Sequence, residues 1–179
     1  MYKITLEQED FLRYQLFTAS QSKRIRQKRI RSWILLTVSF LVLGIVLIQD
    51  PNQSSSYYFL ALSIITLILY PIYQRWQYKR HYEKHIADNY ANRIGIESEL
   101  VFEDGLIISR GANQEGKIKL TEIQEINEIS DNLFIKIKTG ESIIIPSRIY
   151  EYGRLKEELN ELIQLLGVSW NEYFDWKWN

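Results

Sequence analysis

The sequence predicts an α+β membrane protein, in which a two-helix transmembrane hairpin carries a domain of antiparallel strands closed by a C-terminal helix. Two apolar runs, Trp33–Ile48 and Tyr57–Tyr73, contain no Asp, Glu, Lys, Arg or His. Lys and Arg cluster before the first run and after the second, and the hydrophobic period changes to two from Ile94 onward. Uncharged runs flanked by basic residues are typical of membrane spans, and a period of two is typical of strands.

The N-terminal segment, residues 1–32, is predicted to form a short strand and an amphipathic basic helix. Apolar and polar residues alternate from Tyr2 to Leu6, as in a half-buried strand. The sequence Thr5-Leu6-Glu7-Gln8 has the form of a capping box, which predicts a helix start there. No Gly or Pro follows before Gly44, so we expect the helix to continue unbroken into the first apolar run.

Transmembrane helices are predicted at residues 33–49 and 57–73. At about 1.5 Å per residue each is about 26 Å long, slightly short for the roughly 30 Å of a hydrocarbon core. One alternative is a pair of buried helices in a soluble bundle, which would normally show a polar face. Another is a cleaved signal peptide, which would need small residues after Ile48. Aromatic side chains, which favour the membrane interface, lie at the ends of the runs: Trp33, Tyr57, Tyr58, Tyr70 and Tyr73.

Basic residues define the expected orientation of the hairpin. Lys and Arg near membrane spans are retained on the cytoplasmic side, and the connection at residues 50–56 has neither. We therefore expect a two-pass protein of the cell (inner or plasma) membrane, with an external loop at 50–56 and both termini in the cytoplasm. The flanking cations are predicted to contact anionic lipid headgroups. They are Lys23, Arg24, Arg26, Lys28, Arg29, Arg31, Arg75, Lys79 and Arg80.

Charge is unevenly distributed along the chain, although the formal net charge is +0. Residues 1–32 contain eight Lys or Arg and three acids, whereas residues 93–168 contain nine Lys or Arg and fourteen acids. An acidic domain argues against nucleic acid as a partner, because neutralisation of phosphates dominates that affinity. The chain has no Cys, which excludes disulfides and thiolate metal sites.

After the second span, residues 74–93 are predicted to form a cytoplasmic helical extension. Apolar residues recur every four positions from Tyr78 to Tyr90, so they lie on one face of the helix. The apolar side of residues 6–20 is the expected partner of this stripe.

Residues 94–167 are predicted to form the cytoplasmic domain, with five or six antiparallel strands. The pair Asp104-Gly105 is a strong signal for a tight hairpin turn between two of them. Further strands are predicted around residues 117–120, 133–137 and 142–145.

A C-terminal amphipathic helix is predicted to cover the open side of this sheet. Ser147 is placed to cap it, and Gly167 suits a left-handed terminating residue. Its apolar stripe is Leu155, Leu159, Leu162, Ile163 and Leu166. A meander closed by a terminal helix is the pattern of a pleckstrin-homology-like (PH-like) antiparallel β-barrel or sheet, and other small sheet-plus-helix folds fit nearly as well.

Two motifs and their order give the chain a resemblance to a known family. The motifs are an acidic-Gly turn, Glu103-Asp104-Gly105-Leu106, and an apolar run ending in Pro, a base and an aromatic residue, Ile143–Tyr150. With the preceding strand, helix, basic run and two spans, they make residues 1–166 resemble the YcxB-like family of bacterial membrane proteins. The resemblance implies a PH-like fold and carries no catalytic residues. Related membrane proteins with such domains are tied to bacteriocin resistance.

No sequence motif predicts a catalytic, metal or cofactor site. His81 and His85 lie four residues apart on a predicted helix, a spacing that can hold a metal. Glu does not directly follow His81 as it would in a zinc protease, so we interpret both as solvated or interface histidines. The spans contain no ionisable residue, which disfavours a transporter or channel.

An aromatic tail, residues 168–179, follows the predicted domain. Large rings near a chain end favour burial or an interface, so they are predicted as a partner or interface surface. The alternative is that they pack back on the domain or on the stripe from Tyr78 to Tyr90. The rings belong to Trp170, Tyr173, Phe174, Trp176 and Trp178.

These features predict a non-enzymatic binding or scaffold protein that presents its cytoplasmic domain from the membrane. Its expected partners are the lipid bilayer and an unidentified membrane or cytoplasmic protein. Self-protection against membrane-active peptides such as bacteriocins is the alternative function. An enzyme with a lipid substrate is a more distant alternative, because the sequence shows no clustered acid and base.

Overall fold

A computed structural model describes residues 1–49, 54–111, 115–164 and 166–178 of the chain. The described residues divide into two compact units. The sheet unit comprises Met1–Tyr14 and Lys84–Lys177, and the helical unit comprises Gln15–Glu83 and Trp178. The sheet unit is therefore built from two separate stretches of the chain, with the helical unit between them in sequence.

The described residues form both long helices and short strands. The helices are α1 (Gln8–Gln21), α2 (Lys23–Val46), α3 (Ser54–Asn89) and α4 (Tyr152–Gln164). The strands are β1 (Tyr2–Thr5), β2 (Glu97–Glu103), β3 (Leu106–Arg110), β4 (Glu115–Lys119), β5 (Ile123–Ile129), β6 (Asn132–Ile137), β7 (Ser142–Pro146) and β8 (Ser169–Tyr173). Single 3₁₀ turns lie at Leu47–Gln49, Ala91–Arg93 and Leu120–Glu122. The α+β class predicted from the sequence is confirmed.

The strands form two four-stranded sheets, and these do not join into a closed barrel. The first sheet has the order β1-β2-β3-β4 and is antiparallel throughout. The second has the order β7-β6-β5-β8, and its β5 and β8 are parallel. The predicted fully antiparallel sheet or barrel is wrong on this point. The helix α4 lies between β7 and β8 in the chain, and it allows β8 to run in the same direction as β5.

The predicted hairpin at Asp104-Gly105 is confirmed. Leu106 of β3 pairs with Glu103 of β2, which leaves two residues in the turn. Asp104 has φ of 50° and Gly105 has φ of 74°, so both central residues are left-handed. This is the geometry that selects Asp-Gly in two-residue hairpins, because its twist matches the twist of the flanking strands.

The core of the sheet unit receives apolar side chains from both sheets and from α4. Ile107, Ile126 and Ile135 are fully buried strand residues. Leu155 and Leu159 of α4 are also 0% exposed and belong to the same cluster. Burying each such side chain contributes about 1.5–3 kcal/mol, so the stripe of α4 holds the helix on the sheets.

The N-terminal strand completes the first sheet. Tyr2 pairs with Leu100 and Thr5 with Glu97, so β1 lies beside β2. The side chains of Tyr2 and Ile4 enter the core and are each 3% exposed. Residues 1–14 thus belong to the sheet unit, and 1–32 is not one structural segment.

Helix α1 begins at Gln8, two residues later than the capping box predicts. Thr5 lies in β1, and the backbone N–H of Glu7 donates to Asp10 Oδ2 at 2.7 Å. The carboxylate thus reaches back to the free amide at the helix start, the role that was expected of Gln8. In the sheet unit the rings of Phe11 and Tyr90 lie 5.0 Å apart, which confirms one contact of the predicted aromatic stripe.

Ser22 interrupts the helix that was expected to continue unbroken into the first apolar run. Ser22 has an extended backbone (φ −75°, ψ 110°), and its side chain accepts from the Ile25 N–H to cap α2. Serine breaks the helix without Gly or Pro because its hydroxyl replaces a backbone acceptor.

The predicted cap of α4 is wrong. Ser147 does not cap this helix, which begins at Tyr152 after a turn.

The helical unit consists mainly of α2 and α3, which contain the predicted spans 33–49 and 57–73 almost entirely. By length and composition both helices are candidates to cross a membrane. Three hydrogen bonds show that they run antiparallel, since side chains progressively later in α3 donate to backbone oxygens progressively earlier in α2. The donations are Ser56 Oγ to Gly44 O at 2.7 Å, Ser63 Oγ to Thr37 O at 3.2 Å and Gln74 Nε2 to Arg29 O at 3.2 Å.

Gly44 sets the closest approach of the two helices. It is buried, and a Cβ at this position would lie 2.7 Å from Leu60 Cδ2 and 3.1 Å from Leu60 N. Small residues allow helix backbones to approach closely when water does not drive their association. The hydrogen bond from Ser56 to the Gly44 carbonyl depends on the same approach.

We expect Gly44→Leu to separate the two helices and to destabilise the helical unit. Leu favours helix formation more than Gly, so any loss of stability comes from overpacking against Leu60. The free energy of unfolding in mild detergent should fall by about 1–3 kcal/mol. The control Val46→Leu adds volume on an exposed position of the same helix and should change it by less than about 0.5 kcal/mol. Equal effects of both variants would contradict close packing at Gly44.

Candidate functional site

The predicted headgroup residues form a basic collar at one end of the helical unit. Lys23–Arg31 begin α2, and the contact of Gln74 with Arg29 places Arg75, Lys79 and Arg80 of α3 at the same end. Eight of the nine side chains are exposed, and Arg29 is half-buried. The structure therefore brings these predicted site residues together.

Arg29 has a different environment from the rest of the collar. Its guanidinium carbon lies 4.9 Å from the centre of the Trp178 ring and 5.7 Å from that of Tyr78. Trp178 Nε1 donates to the carbonyl of Arg75 at 3.1 Å. A cation between aromatic faces stabilises packing, so Arg29 and Trp178 hold the end of the helical unit together.

Two collar residues of α3, Lys79 and Arg80, also have side-chain partners within the helical unit. Lys79 Nζ lies 3.9 Å from Glu83 Oε1, one helical turn further along. The guanidinium of Arg80 lies 5.2 Å from the centre of the Trp76 ring. These contacts partly neutralise or shield the positive charge of α3.

The predicted aromatic tail is divided between the two units. Residues 169–173 form β8, and Trp170 packs against the core of the sheet unit. Trp178 is only 9% exposed and lies in the helical unit. Tyr173 and Trp176 are half-buried, which leaves Phe174 as the exposed ring, at 49%. For Trp170 and Trp178 the structure shows the alternative, packing back on the chain.

A buried carboxylate, Glu128 on β5, organises the region around β8. It is 3% exposed and accepts hydrogen bonds from Tyr152 Oη at 3.0 Å, Lys156 Nζ at 2.9 Å and Trp170 Nε1 at 3.0 Å. Burial raises the pKa of Tyr152, and the charge of Glu128 raises it further. The carboxylate is fully occupied by structural donors, so its role is to join β5, α4 and β8. Lys156 also lies 5.8 Å from the centre of the exposed Phe174 ring.

A second buried carboxylate, Asp10 on α1, joins the N-terminus to the rest of the sheet unit. It is 1% exposed and contacts Arg148 Nη2 at 2.5 Å and Asn132 Nδ2 at 2.9 Å. Burial opposes ionisation of Asp10, but the hydrogen bonds from Arg148, Asn132 and the Glu7 N–H lower its pKa. The nearby rings of Tyr14 and Phe134 lie 5.4 Å apart, so α1 covers this face of β6.

Sequence reasoning missed both carboxylate clusters. Arg148 lies in the apolar run that carried the family resemblance, but its partner Asp10 is 138 residues away in sequence. Glu128 lies at a buried position of a strand, where a charged residue signals a paired site. The sequence around β5 therefore contained a signal for a paired carboxylate, but it did not show that the donors are Tyr152, Lys156 and Trp170.

The two histidines lie on α3. His85 Nδ1 lies 3.1 Å from Asn89 Nδ2, and the His81 ring contacts Tyr82 edge-on. In the described part of the chain no three His, Cys, Asp or Glu side chains form a group that could hold a metal ion.

The arrangement defines an α+β protein with two long apolar helices, two four-stranded sheets and a covering helix. Residues 101–166 match the family model described as YcxB-like protein. The resemblance predicted from the sequence is therefore confirmed for this segment, which begins within β2 and ends just after α4. No curated protein and no solved structure shows significant similarity to the chain.

We expect the stability of the sheet unit to depend on the ionised form of Asp10. Its folded-state pKa lies below the unfolded value of about 3.9, so the stabilisation is present above pH 4 and is lost as pH falls through the folded pKa. Asp10→Asn should cost about 2 kcal/mol at pH 7, because it leaves Arg148 without its buried counter-charge, and should flatten this pH dependence.

Hydrogen exchange of β1 and β6 amides in detergent, compared at pH 7 and at about pH 2, measures both effects, because the stabilisation is lost only below the unfolded-state pKa. The control Glu161→Gln removes a charge from an exposed position of α4 and should leave exchange unchanged at pH 7. An Asp10→Asn protein that keeps the wild-type protection and the wild-type pH dependence would rule out this role of the carboxylate.

Proposed function

We propose that the chain is a bacterial two-pass membrane protein with both termini in the cytoplasm. The observation that carries this proposal is the exposed apolar surface of α2 and α3. In their most apolar windows only 6% and 11% of residues are buried, whereas the core helix of a soluble protein would bury one face. Exposed apolar surface on this scale is expected where lipid, and not water, surrounds the helices.

The contacts between α2 and α3 support the same proposal. In hydrocarbon, helices associate through small residues and hydrogen bonds between polar side chains and backbone. Gly44, Ser56 and Ser63 provide both within the apolar segments. The basic collar lies at one end of the pair and the connection without Lys or Arg at the other, which favours a cytoplasmic collar.

We infer that the sheet unit is a PH-like binding domain without enzymatic activity. Two sheets packed around one core and covered by a C-terminal helix support this assignment. The buried ionisable groups Asp10 and Glu128 are each saturated by donors that join elements of the fold. Both carboxylates thus act as structural acceptors, which favours binding over catalysis for this unit.

We propose that exposed aromatic residues of the sheet unit contact a membrane or cytoplasmic protein. Tyr150 is 101% exposed and lies in the matched family segment, and Phe174 is 49% exposed beside Lys156. Aromatic side chains are enriched at the centres of protein interfaces because they bury a large area with few rotatable bonds. The scaffold function rests on these exposed rings, and self-protection against peptides is the alternative.

The absence of Cys from the sequence makes the topology directly testable. Ser55→Cys places a thiol at an exposed position before the second apolar run, and Asn160→Cys places one on the exposed side of α4. In intact cells a membrane-impermeant maleimide should label Ser55→Cys but label Asn160→Cys only after permeabilisation. Labelling of both thiols in intact cells, or of neither, would contradict two spans with cytoplasmic termini.

In-cell crosslinking followed by mass spectrometry tests the binding function. Tyr150→Ala together with Phe174→Ala should lose at least tenfold of a stoichiometric protein partner, since hot-spot rings contribute about 2 kcal/mol or more each. The matched control Ile96→Ala removes an exposed apolar residue of the same unit and should retain the partner. Purification of the bare protein with bulk lipid would overturn the scaffold function, and peptide sensitivity of a deletion strain would then test self-protection.

A further inference from the structure

One face of α2 combines cations with a long apolar surface. At about 100° per residue, six side chains fall within a sector of about 80°. They lie along one exposed face of the helix, and we call them the outer stripe: Arg24, Lys28, Arg31, Leu35, Val38 and Val42.

The outer stripe lies on the opposite side of α2 from α3. Residues that contact or approach α3, such as Arg29, Thr37 and Gly44, are half-buried or buried. The positions of the outer stripe are exposed, and they are offset by roughly half a turn from those residues. Within the helical unit this stripe therefore has no protein partner among the described residues.

The three cations of the outer stripe are exposed and share one face of the helix. Arg24, Lys28 and Arg31 are one helical turn apart, and in the described ranges none of them makes an ion pair or a ring contact. Like charges at this spacing repel one another. Arg29, Lys79 and Arg80 have partners of their own, while Lys23, Arg26 and Arg75 lie outside the outer stripe. The trio is therefore the place where collar cations that are unpaired among the described residues continue directly into an exposed apolar face, which favours binding of an anion that carries an apolar chain.

The apolar half of the stripe has the length of one lipid leaflet. From Arg31 to Val42 the helix rises about 16 Å. Half of the hydrocarbon core is about 15 Å thick. An acyl chain with its phosphate at the cations would thus lie along the apolar residues to about the bilayer centre.

We propose that the outer stripe of α2 binds one anionic phospholipid, with the phosphate at Arg24, Lys28 and Arg31 and an acyl chain along Leu35, Val38 and Val42. The inference rests on the proposed membrane insertion and deepens it from a diffuse basic collar to a defined site. A second copy fits this face poorly. Two copies in the same membrane orientation, related by a two-fold axis, would bring two sets of three cations together.

Lipid retention measured by native mass spectrometry tests the site. The full chain is reconstituted in nanodiscs of phosphatidylcholine with a minority of phosphatidylglycerol and then released into mild detergent. We expect one phosphatidylglycerol bound per chain. The variant Arg24→Gln/Lys28→Gln/Arg31→Gln should bind it roughly a hundredfold more weakly, because three charges near the headgroup are removed.

A charge-matched control separates a defined site from general attraction. Lys23→Gln/Arg26→Gln/Arg80→Gln removes three charges of the same collar outside the outer stripe, and it should keep affinity within about threefold of wild type. Dihexanoyl phosphatidylglycerol has the same headgroup with short chains, and its weaker retention would support the apolar half of the site. Equal loss in both triple variants, or equal retention of phosphatidylcholine, would overturn the proposal.

Two further outcomes are distinguishable. A dimer without lipid whose stability depends on the outer stripe would assign this face to a second copy and overturn the lipid site. If cysteine labelling contradicts the two spans, the proposed function fails together with the site. If labelling supports the spans and both triple variants behave alike, the site alone fails.

Discussion

The buried carboxylate of Asp10 is the interaction on which the sheet unit depends most. It lies on the first helix of the chain, yet its hydrogen-bond donors Asn132 and Arg148 belong to β6 and to the turn before α4. A buried charge is tolerated only when donors surround it, so the carboxylate requires these three elements to meet at one place. Only a few residues separate β1 from Asp10, so the N-terminal strand is held close to this point, and backbone pairing with β2 completes its placement.

The helical unit obeys a different constraint. The described contacts between its helices include small and polar residues, while many of its large apolar side chains are exposed. In water this arrangement would be inverted, because the apolar side chains would seek the contact between the helices. Apolar side chains are thus buried in the sheet unit and exposed in the helical unit. This difference is what we expect if water surrounds the first unit and lipid surrounds the second, as we propose.

The parts of the fold that were predictable are those determined locally. Asp104-Gly105 fixes its turn through backbone conformation, and the stripe containing Leu155 and Leu159 fixes one face of α4. The apolar runs were equally clear, because composition alone defines them. Within the candidate site, the collar residues were predictable because they lie next to the apolar runs in sequence. The outer stripe was not, because its identification requires knowing which face of α2 contacts α3.

The missed features arise from contacts between residues distant in sequence. Ser22 ends α1 through a local cap, but no pattern distinguished it from other polar residues of a basic segment. The parallel pairing of β8 with β5 is accompanied by the hydrogen bond from Trp170 to Glu128, two residues that are 42 positions apart, so sequence reasoning treated the tail as a separate segment. Asp10 and Arg148 illustrate the same limit at a larger separation, because charge alone does not specify a partner.

The pairing of β1 with β2 has a consequence for synthesis of the chain. The first strand leaves the ribosome before either apolar helix, and its partner follows roughly 90 residues later. At about 5–20 residues per second, β1 waits on the order of 5–20 s with its backbone groups unpaired. The first sheet can therefore be completed only after both apolar helices have been synthesised. A chain whose synthesis stops before β2 exposes the unpaired edge of β1 to quality-control proteases.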